Sequence, residues 1–287
     1  VQAIYLGARA GVQKELDSHK KYRLEKKEML AYCEPLIANS IAWWVNNASD
    51  RYVVIFFCGL AENGIYSVAS KIPSILNVFQ SIFNQAWTLS AVRDFDSEDK
   101  DGFFSKTYSM YNCMMTILCS MVIVADKVLA RFLYAKDFYV AWRFVPWLTI
   151  AIVFGALSGV IGGVFSAVKN SKIFAQSTIV GAVSNVLLNI ILTPLIDALG
   201  AAIATTVCYI VVWGMRMLHS KKYIRLRINF ARDIVSYFIL VVQAIVLLLI
   251  EKNTVLYSVE IVLFVLVFIL YVKEFSGIFK NIKGKRA

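Results

Sequence analysis

Histidine is almost missing from this sequence: 287 residues hold only His19 and His219, both in polar connecting segments. The five cysteines (Cys33, Cys58, Cys113, Cys119 and Cys208) are scattered and form no C-x-x-C pair. A metal centre needs such ligands at set spacings, so none is expected. Four of the thiols lie in or beside apolar stretches and read as buried packing groups. Also missing are a nucleotide-binding glycine loop, a general acid–base pair and any cofactor motif. The connecting loops on the outer side span only about four, eighteen, four and four residues, too short to house a catalytic cleft. A membrane enzyme such as a polysaccharide polymerase or glycosyltransferase is therefore disfavoured. The alternating pattern of a membrane β-barrel is absent as well.

What the chain has is apolar length. Hydrophobic residues make up 59% and the mean hydropathy is +0.65. A soluble domain is nearer half apolar, so the expected class is an all-α polytopic membrane protein. Eight stretches are long enough to span as helices: about 35–60, 65–91, 108–125, 144–167, 173–194, 199–218, 233–250 and 255–272.

The net charge of +11 would suggest nucleic acid in a soluble protein. Here the basic residues concentrate in short loops on one side, in the pattern of the positive-inside rule. With both ends inside, the outer loops hold only Lys127, Arg131, Lys136, Arg143 and Lys252 of the 30 Lys and Arg residues. No nucleic-acid partner is expected.

The opening VQAIYLGARA has no signal-peptide pattern. Residues 1–11 read as the end of a preceding membrane helix, so the chain is expected to be the C-terminal part of a longer protein. Residues 12–34 form a basic cytoplasmic linker, read either as an amphipathic helix on the membrane surface or as a solvated helix. Pro35 is expected to open the first span. Ala61–Gly64 is read as a tight outer turn. Residues 93–107 (RDFDSEDKDGFFSKT) lack the EF-hand spacing and read as a solvated inner loop. Span three, rich in Met and Cys, is read as packing surface. Gly155, Gly159 and Gly163 form a small-residue ridge on span four, and the small residues opening span six suggest tight packing on span five. Asn185 and Asn189 share a face of span five. Spans seven and eight, with the basic loop and tail of region 219–287, are read as lipid-facing additions without intramembrane charge.

The unusual stretch is WWVNNASDRYVVIFFCGLAENGIYSVASK, residues 43–71. A charge at membrane depth costs roughly 2.5–3.5 kcal/mol, so Asp50 and Arg51 together cost about 5–7 kcal/mol. A dozen apolar neighbours at roughly −0.3 to −0.6 kcal/mol each only offset this. Such a segment persists when its polar side faces a cavity or a partner. Asn39, Trp43, Asn46, Asn47 and Asp50 fall on one helical face. Ser67, Ser70, Lys71, Ser74, Asn77, Ser81, Asn84, Gln85 and Thr88 make a polar stripe on the next span. The stripe either lines a water-filled cavity or makes interhelical hydrogen bonds. Lys71 lies within reach of Asp50, so one reading is an ion pair that fixes the hairpin. In the other, Arg51, with or without Lys71, holds an anionic group, for which a planar guanidinium is suited. Serines and asparagines suit sugar hydroxyls. The candidate substrate-binding residues are Arg51, Lys71, Asn46, Asn47, Ser74 and Asn77, and Asp50 is the candidate ion-coupling group.

SDRYVV, ENGIYSVASKIPSIL and NQAWTLSA resemble the polysaccharide flippases of the Wzx type, the O-antigen and teichoic-acid exporters. SNVLLNIILTPLIDALGAAIATT is similar to a segment found across their superfamily, which includes the MATE multidrug exporters and the lipid II flippase. The resemblance covers roughly residues 28–218. It implies two six-helix lobes around a cavity that opens alternately to each side, with residues 35–218 as the second lobe and two extra helices after it. The implied cargo is a polyprenyl-pyrophosphate-linked oligosaccharide, moved across the bacterial cytoplasmic membrane for surface polysaccharide biosynthesis. Implied partners are that lipid, the membrane, an N-terminal lobe of the same protein, and a polysaccharide polymerase and glycosyltransferases. An ion-coupled multidrug exporter, with Asp50 as its carboxylate, is the alternative.

Overall fold

The computed structural model describes residues 23–272 and 274, so the segment 1–11, residues 12–22 of the linker and the basic tail lie outside the described residues. These residues form nine α-helices and one 3-10 helix: α1 (Arg23–Cys58), α2 (Leu60–Ala69), α3 (Lys71–Arg93), α4 (Phe103–Leu133), the 3-10 helix (Lys136–Arg143), α5 (Val145–Ala167), α6 (Ser171–Ile196), α7 (Ala198–Ser220), α8 (Phe230–Leu249) and α9 (Asn253–Leu270). Helices α4 to α9 are each long and apolar enough to cross a membrane. Helix α1 and the bent pair α2–α3, expected as spans from sequence, are not among these six.

The first hairpin differs from its sequence reading. Helix α1 is already helical at Arg23, the first described residue, so Pro35 does not open it but lies in its interior. The strong helix formers of RLEKKEMLAYCE extend the helix upstream to it. Ala61–Gly64 is helical and lies inside α2. The turn sits at Gly59, whose φ of +90° favours glycine. Its N–H donates to Ile55 O at 3.0 Å, closing α1. Span two is broken at Ser70 into α2 and α3. Pro73 explains the break: it has no N–H for the Ala69 carbonyl, and its ring crowds that turn.

Helix α5 is the axis of the bundle and is almost entirely buried. Its glycine ridge works as a packing groove. A Cβ at Gly155, Gly159 or Gly163 would come within 2.4–2.6 Å of Tyr209, Asn84 or Trp87 respectively. These neighbours come from α7 and α3, and Trp87 Nε1 also donates to Val160 O at 2.8 Å. Helices α6 and α7 form a close hairpin, where a Cβ on Gly200 would meet the Leu192 carbonyl at 2.5 Å. Helix α1 packs along α6, and α3 along α5. Helices α1 and α3 scarcely touch each other, so the two margins of the lobe are splayed.

The inner loop is more ordered than a solvated loop. Asp99 is buried, with φ +48°. Its carboxylate accepts from Phe104 N at 3.0 Å and Ser105 N at 2.9 Å, capping the free N–H groups that start α4. Ser105 Oγ donates to it too, while accepting from Arg227 N at 2.8 Å. Arg225 N donates to Ser97 O at 3.1 Å, so the loop is docked on the basic segment. The neighbouring Asp96 is exposed and accepts from Glu98 N and Lys100 N, which holds its carboxyl below the usual range.

Helices α8 and α9 pack on α4. Most of their surface is exposed, as a lipid-facing addition would have it, but reading them as free of charge needs correction: Glu260 lies within α9 and, like Gln243 of α8, is fully buried. Asp126, placed by sequence in an outer connection, lies inside α4 and is buried too.

Candidate functional site

The splay of α1 from α3 opens a cleft. At one end α2 bridges the two margins, and a cavity of about 210 Å³ lies beneath it. Its walls are Asn47, Asp50 and Arg51 from α1, Tyr66, Ser67 and Ser70 from α2 and its end, and Pro73 and Asn77 from α3. Its floor is Leu148, Ala151 and Ile152 of α5 and Thr205 and Tyr209 of α7. At the opposite end, between the start of α1 and the end of α3, a wider opening of about 950 Å³ includes Glu25, Glu28, Lys169 and Lys172.

The polar stripe of α3 keeps its hydrogen bonds local. Ser74 Oγ, Ser81 Oγ and Thr88 Oγ1 donate to carbonyls three or four residues earlier in their own helix. Ser74, Asn77, Ser81, Gln85 and Thr88 remain exposed. Only Asn84 is pressed into the glycine ridge of α5.

Asp50 is buried at the edge of the cavity, held by three elements. Asn189 Nδ2 of α6 donates to Oδ1 at 2.7 Å. Thr205 Oγ1 of α7 donates to Oδ2 at 2.5 Å, and Tyr66 Oη of α2 to the same oxygen at 3.2 Å. Behind them Ser49 Oγ donates to Asn185 Oδ1 at 2.8 Å, and Asn185 Oδ1 also accepts from Asn189 Nδ2 at 3.0 Å. The oxygen of Asn189 is buried without a hydrogen-bond partner. Every donor to the carboxylate is neutral, so its charge is hydrogen-bonded but not neutralised.

No ion pair among the described residues includes Asp50, Arg51 or Lys71. The hairpin is therefore not fixed by an Asp50–Lys71 pair. Arg51 is exposed and lines the cavity. One helical step rotates a side chain by about 100°, which puts Asp50 in the α6–α7 seam and Arg51 in the cleft.

Of the residues named from sequence, the cavity brings together Arg51, Asn47 and Asn77, with Asp50 at its edge. Lys71 and Ser74 are exposed but lie outside its lining. Asn46 is buried away from it, accepting from Cys208 Sγ at 3.0 Å. Sequence reasoning missed Tyr66, Thr205 and Tyr209. Its one available signal was the i, i+4 pair Asn185 and Asn189, polar residues on one face of an otherwise apolar helix. Their partner could not be read from that spacing.

No protein-family description matches this chain, and no curated protein does. Solved structures match it in fold. The lipid II flippase MurJ in an inward-closed conformation superposes with a TM-score of 0.60 at 16% identity, over 85% of this chain and 52% of that one. An outward-facing MATE multidrug-resistance transporter of the MOP superfamily gives 0.56 at 16% identity, covering 78% and 53%. A MOP superfamily transporter from Pyrococcus furiosus, described with a binding pocket of reverse polarity that suggests a different function, gives 0.54 at 15% identity, covering 78% and 53%. The chain thus has the fold of about half of a MOP-type transporter and spans about half the length of each of these proteins.

Proposed function

We propose that this chain forms one lobe of an alternating-access flippase that carries an anionic, sugar-bearing lipid. The cargo is a polyprenyl-pyrophosphate-linked oligosaccharide destined for surface polysaccharide, and a second lobe completes the pathway. The observation that carries this reading is Arg51, an exposed guanidinium without a carboxylate partner among the described residues, in a cavity set among Asn47, Asn77, Ser67 and Ser70. A guanidinium forms bidentate bonds to phosphate oxygens. The surrounding amides and hydroxyls offer the donors and acceptors that sugar hydroxyls need. The splayed margins leave a lateral opening for a lipid tail.

Asp50 has a separate role in this proposal. An uncompensated carboxylate at membrane depth is costly, and binding a proton or a small cation removes the cost. The cation would sit between Asp50 and the unpartnered oxygen of Asn189. Its binding would draw α1 toward α6 and α7, coupling ion occupancy to the width of the cleft.

A multidrug exporter would instead present a carboxylate to a cationic drug. Asp50 already accepts from three donors and is buried, which makes it a poor docking anion for a bulky cation.

The test is deletion of the gene that encodes this chain, in a strain without a redundant flippase. Lipid-linked oligosaccharide is then probed on the cytoplasmic face and polymer on the surface. The expected result is trapped intermediate with lost polymer. Normal polymer without trapped intermediate, together with drug sensitivity, would move the assignment to the exporter.

A further inference from the structure

Two acidic side chains are enclosed where the last two helices meet the lobe. Asp126 of α4 and Glu260 of α9 both have 0% exposure. Neither takes part in an ion pair among the described residues. Both oxygens of Asp126 lack a hydrogen-bond partner. Glu260 accepts one bond, from Gln243 Nε2 of α8 at 3.0 Å, and its Oε1 is unpartnered. Gln243 is locked in that orientation, because its own oxygen accepts from Ser120 Oγ of α4 at 2.8 Å. Three unpartnered acceptor oxygens therefore lie on the packed helices α4 and α9, where Asp126 feels the charge of Glu260, and the one neutral donor, Gln243 Nε2 of α8, serves Glu260 alone.

The other charged and titratable groups nearby offset this deficit only in part. Lys127, next to Asp126, holds its ammonium 4.5 Å over the Trp142 ring; it forms no ion pair among the described residues and acts on both carboxylates through space. Arg131 is exposed, further along α4. Tyr257 of α9 lies near Asp126 and Arg131. Tyr134, just past the end of α4, is buried with its hydroxyl toward the Ile72 backbone and also feels the charge of Asp126. Two buried ionised carboxyls that share one through-space counter-charge, that of Lys127, remain unfavourable. One further positive charge, a proton or a small cation, would balance them.

We propose that Asp126 and Glu260 form a binding site for a monovalent cation, a proton or an alkali ion, at the junction between the lobe and helices α8 and α9. Acceptor-only oxygen sets are the donor chemistry of hard cations and protons. Gln243 positions Glu260, and Ser120 positions Gln243. With the cation bound, the two carboxyls can sit together and α9 seats on α4. When it leaves, their mutual repulsion loosens that contact. The site stands apart from Asp50, which lies in the seam of α1, α6 and α7.

The test uses dicyclohexylcarbodiimide, an apolar reagent that modifies protonated carboxyls within membranes. Membranes containing the chain are labelled from acidic to alkaline pH, in sodium chloride or choline chloride, and labelled peptides are mapped by mass spectrometry. Labelling of Asp126 or Glu260 that falls severalfold on adding sodium, but not choline, supports an alkali ion. Labelling that falls severalfold with rising pH, whatever the salt, supports a proton. Labelling that ignores both, or none at either residue, overturns the proposal. The second measurement is thermal stability of the Asp126→Asn, Glu260→Gln double variant, made in an Asp50→Asn background to remove any response from that carboxylate. The background protein should keep a melting temperature that responds to sodium or pH, and the double variant should lose the response. The same response in both would also overturn the proposal. If the double variant does not fold, the labelling map decides alone.

Discussion

Asp50 and Arg51 are adjacent in sequence yet belong to different environments. The Asp50 carboxylate lies in the helix seam, 2.7 Å from Asn189 Nδ2 and 2.5 Å from Thr205 Oγ1. The Arg51 side chain lines the cleft without a carboxylate partner. An intramembrane acid and base side by side suggest mutual neutralisation, and the helical rotation between them prevents it.

Arg51→Ala should reduce surface polymer on the order of tenfold to a hundredfold, since a hydrogen bond to a charged group is worth about 1.5–3 kcal/mol. Protein abundance should stay unchanged, because the side chain is exposed and packs in no core. Arg51→Lys should recover part of the loss, keeping the charge without the bidentate fork. Lys71→Ala, outside the cavity lining, should cost less. Quantitative staining of surface polymer in complemented deletion strains checks all three, and full activity of Arg51→Ala would remove this residue from the site.

Asp50→Ala should lower stability by about 2–4 kcal/mol, because buried donors on α2, α6 and α7 lose their common acceptor. Asp50→Asn keeps the size but cannot take up a cation by charge. It should be present in the membrane, bind substrate and fail to turn over. Thermal unfolding in detergent and a vesicle transport assay separate the two effects. Normal transport by Asp50→Asn would end its coupling role.

The glycines should divide by what surrounds them. Gly200→Ala drives a Cβ into the backbone of Leu192, which cannot swing aside. It should destabilise the α6–α7 hairpin by about 1–3 kcal/mol. Gly214 lies in α7 with nothing within 4 Å of its Cβ position. Gly214→Ala should stabilise by up to about 1 kcal/mol through helix propensity. Melting temperatures shifting in opposite directions would bear this out.

Asp99→Ala removes the carboxylate that caps α4 and orders the loop beside Arg225 and Arg227. A lost cap costs about 0.5–2 kcal/mol. The variant should be cut faster by protease at residues 94–102 than the wild-type chain, with transport less affected than by Arg51→Ala. Equal cleavage rates would show that the loop is held by other contacts.

Much of the architecture was legible. Apolar runs of about 20 residues fix how many helices there are and roughly where they lie, because a membrane leaves backbone groups no partner but their own helix. The ridge of Gly155, Gly159 and Gly163 announced a close helix contact, although not that α3 and α7 would fill it. The turn at Gly59 was misplaced and the break at Ser70 was not foreseen: polar Glu62 and Asn63 looked like a turn, while the restrictive residues were Gly59 and Pro73. Glu260 and Asp126 escaped notice, one inside an apolar run and one at the edge of a polar segment.

The sequence by itself determined a helical protein with spans apolar enough for a membrane, and it drew attention to Asp50, Arg51 and their polar neighbours. Those are local properties, carried by composition and by the 100° step of a helix. Only the tertiary structure decided that α1 and α3 stand apart, that Asp50 belongs to Asn189 and Thr205 rather than to Lys71, and that Asp126 and Glu260 are buried on the packed helices α4 and α9. Such pairings join residues more than a hundred positions apart. They depend on which helix face turns toward which neighbour, and packing across the whole bundle settles that.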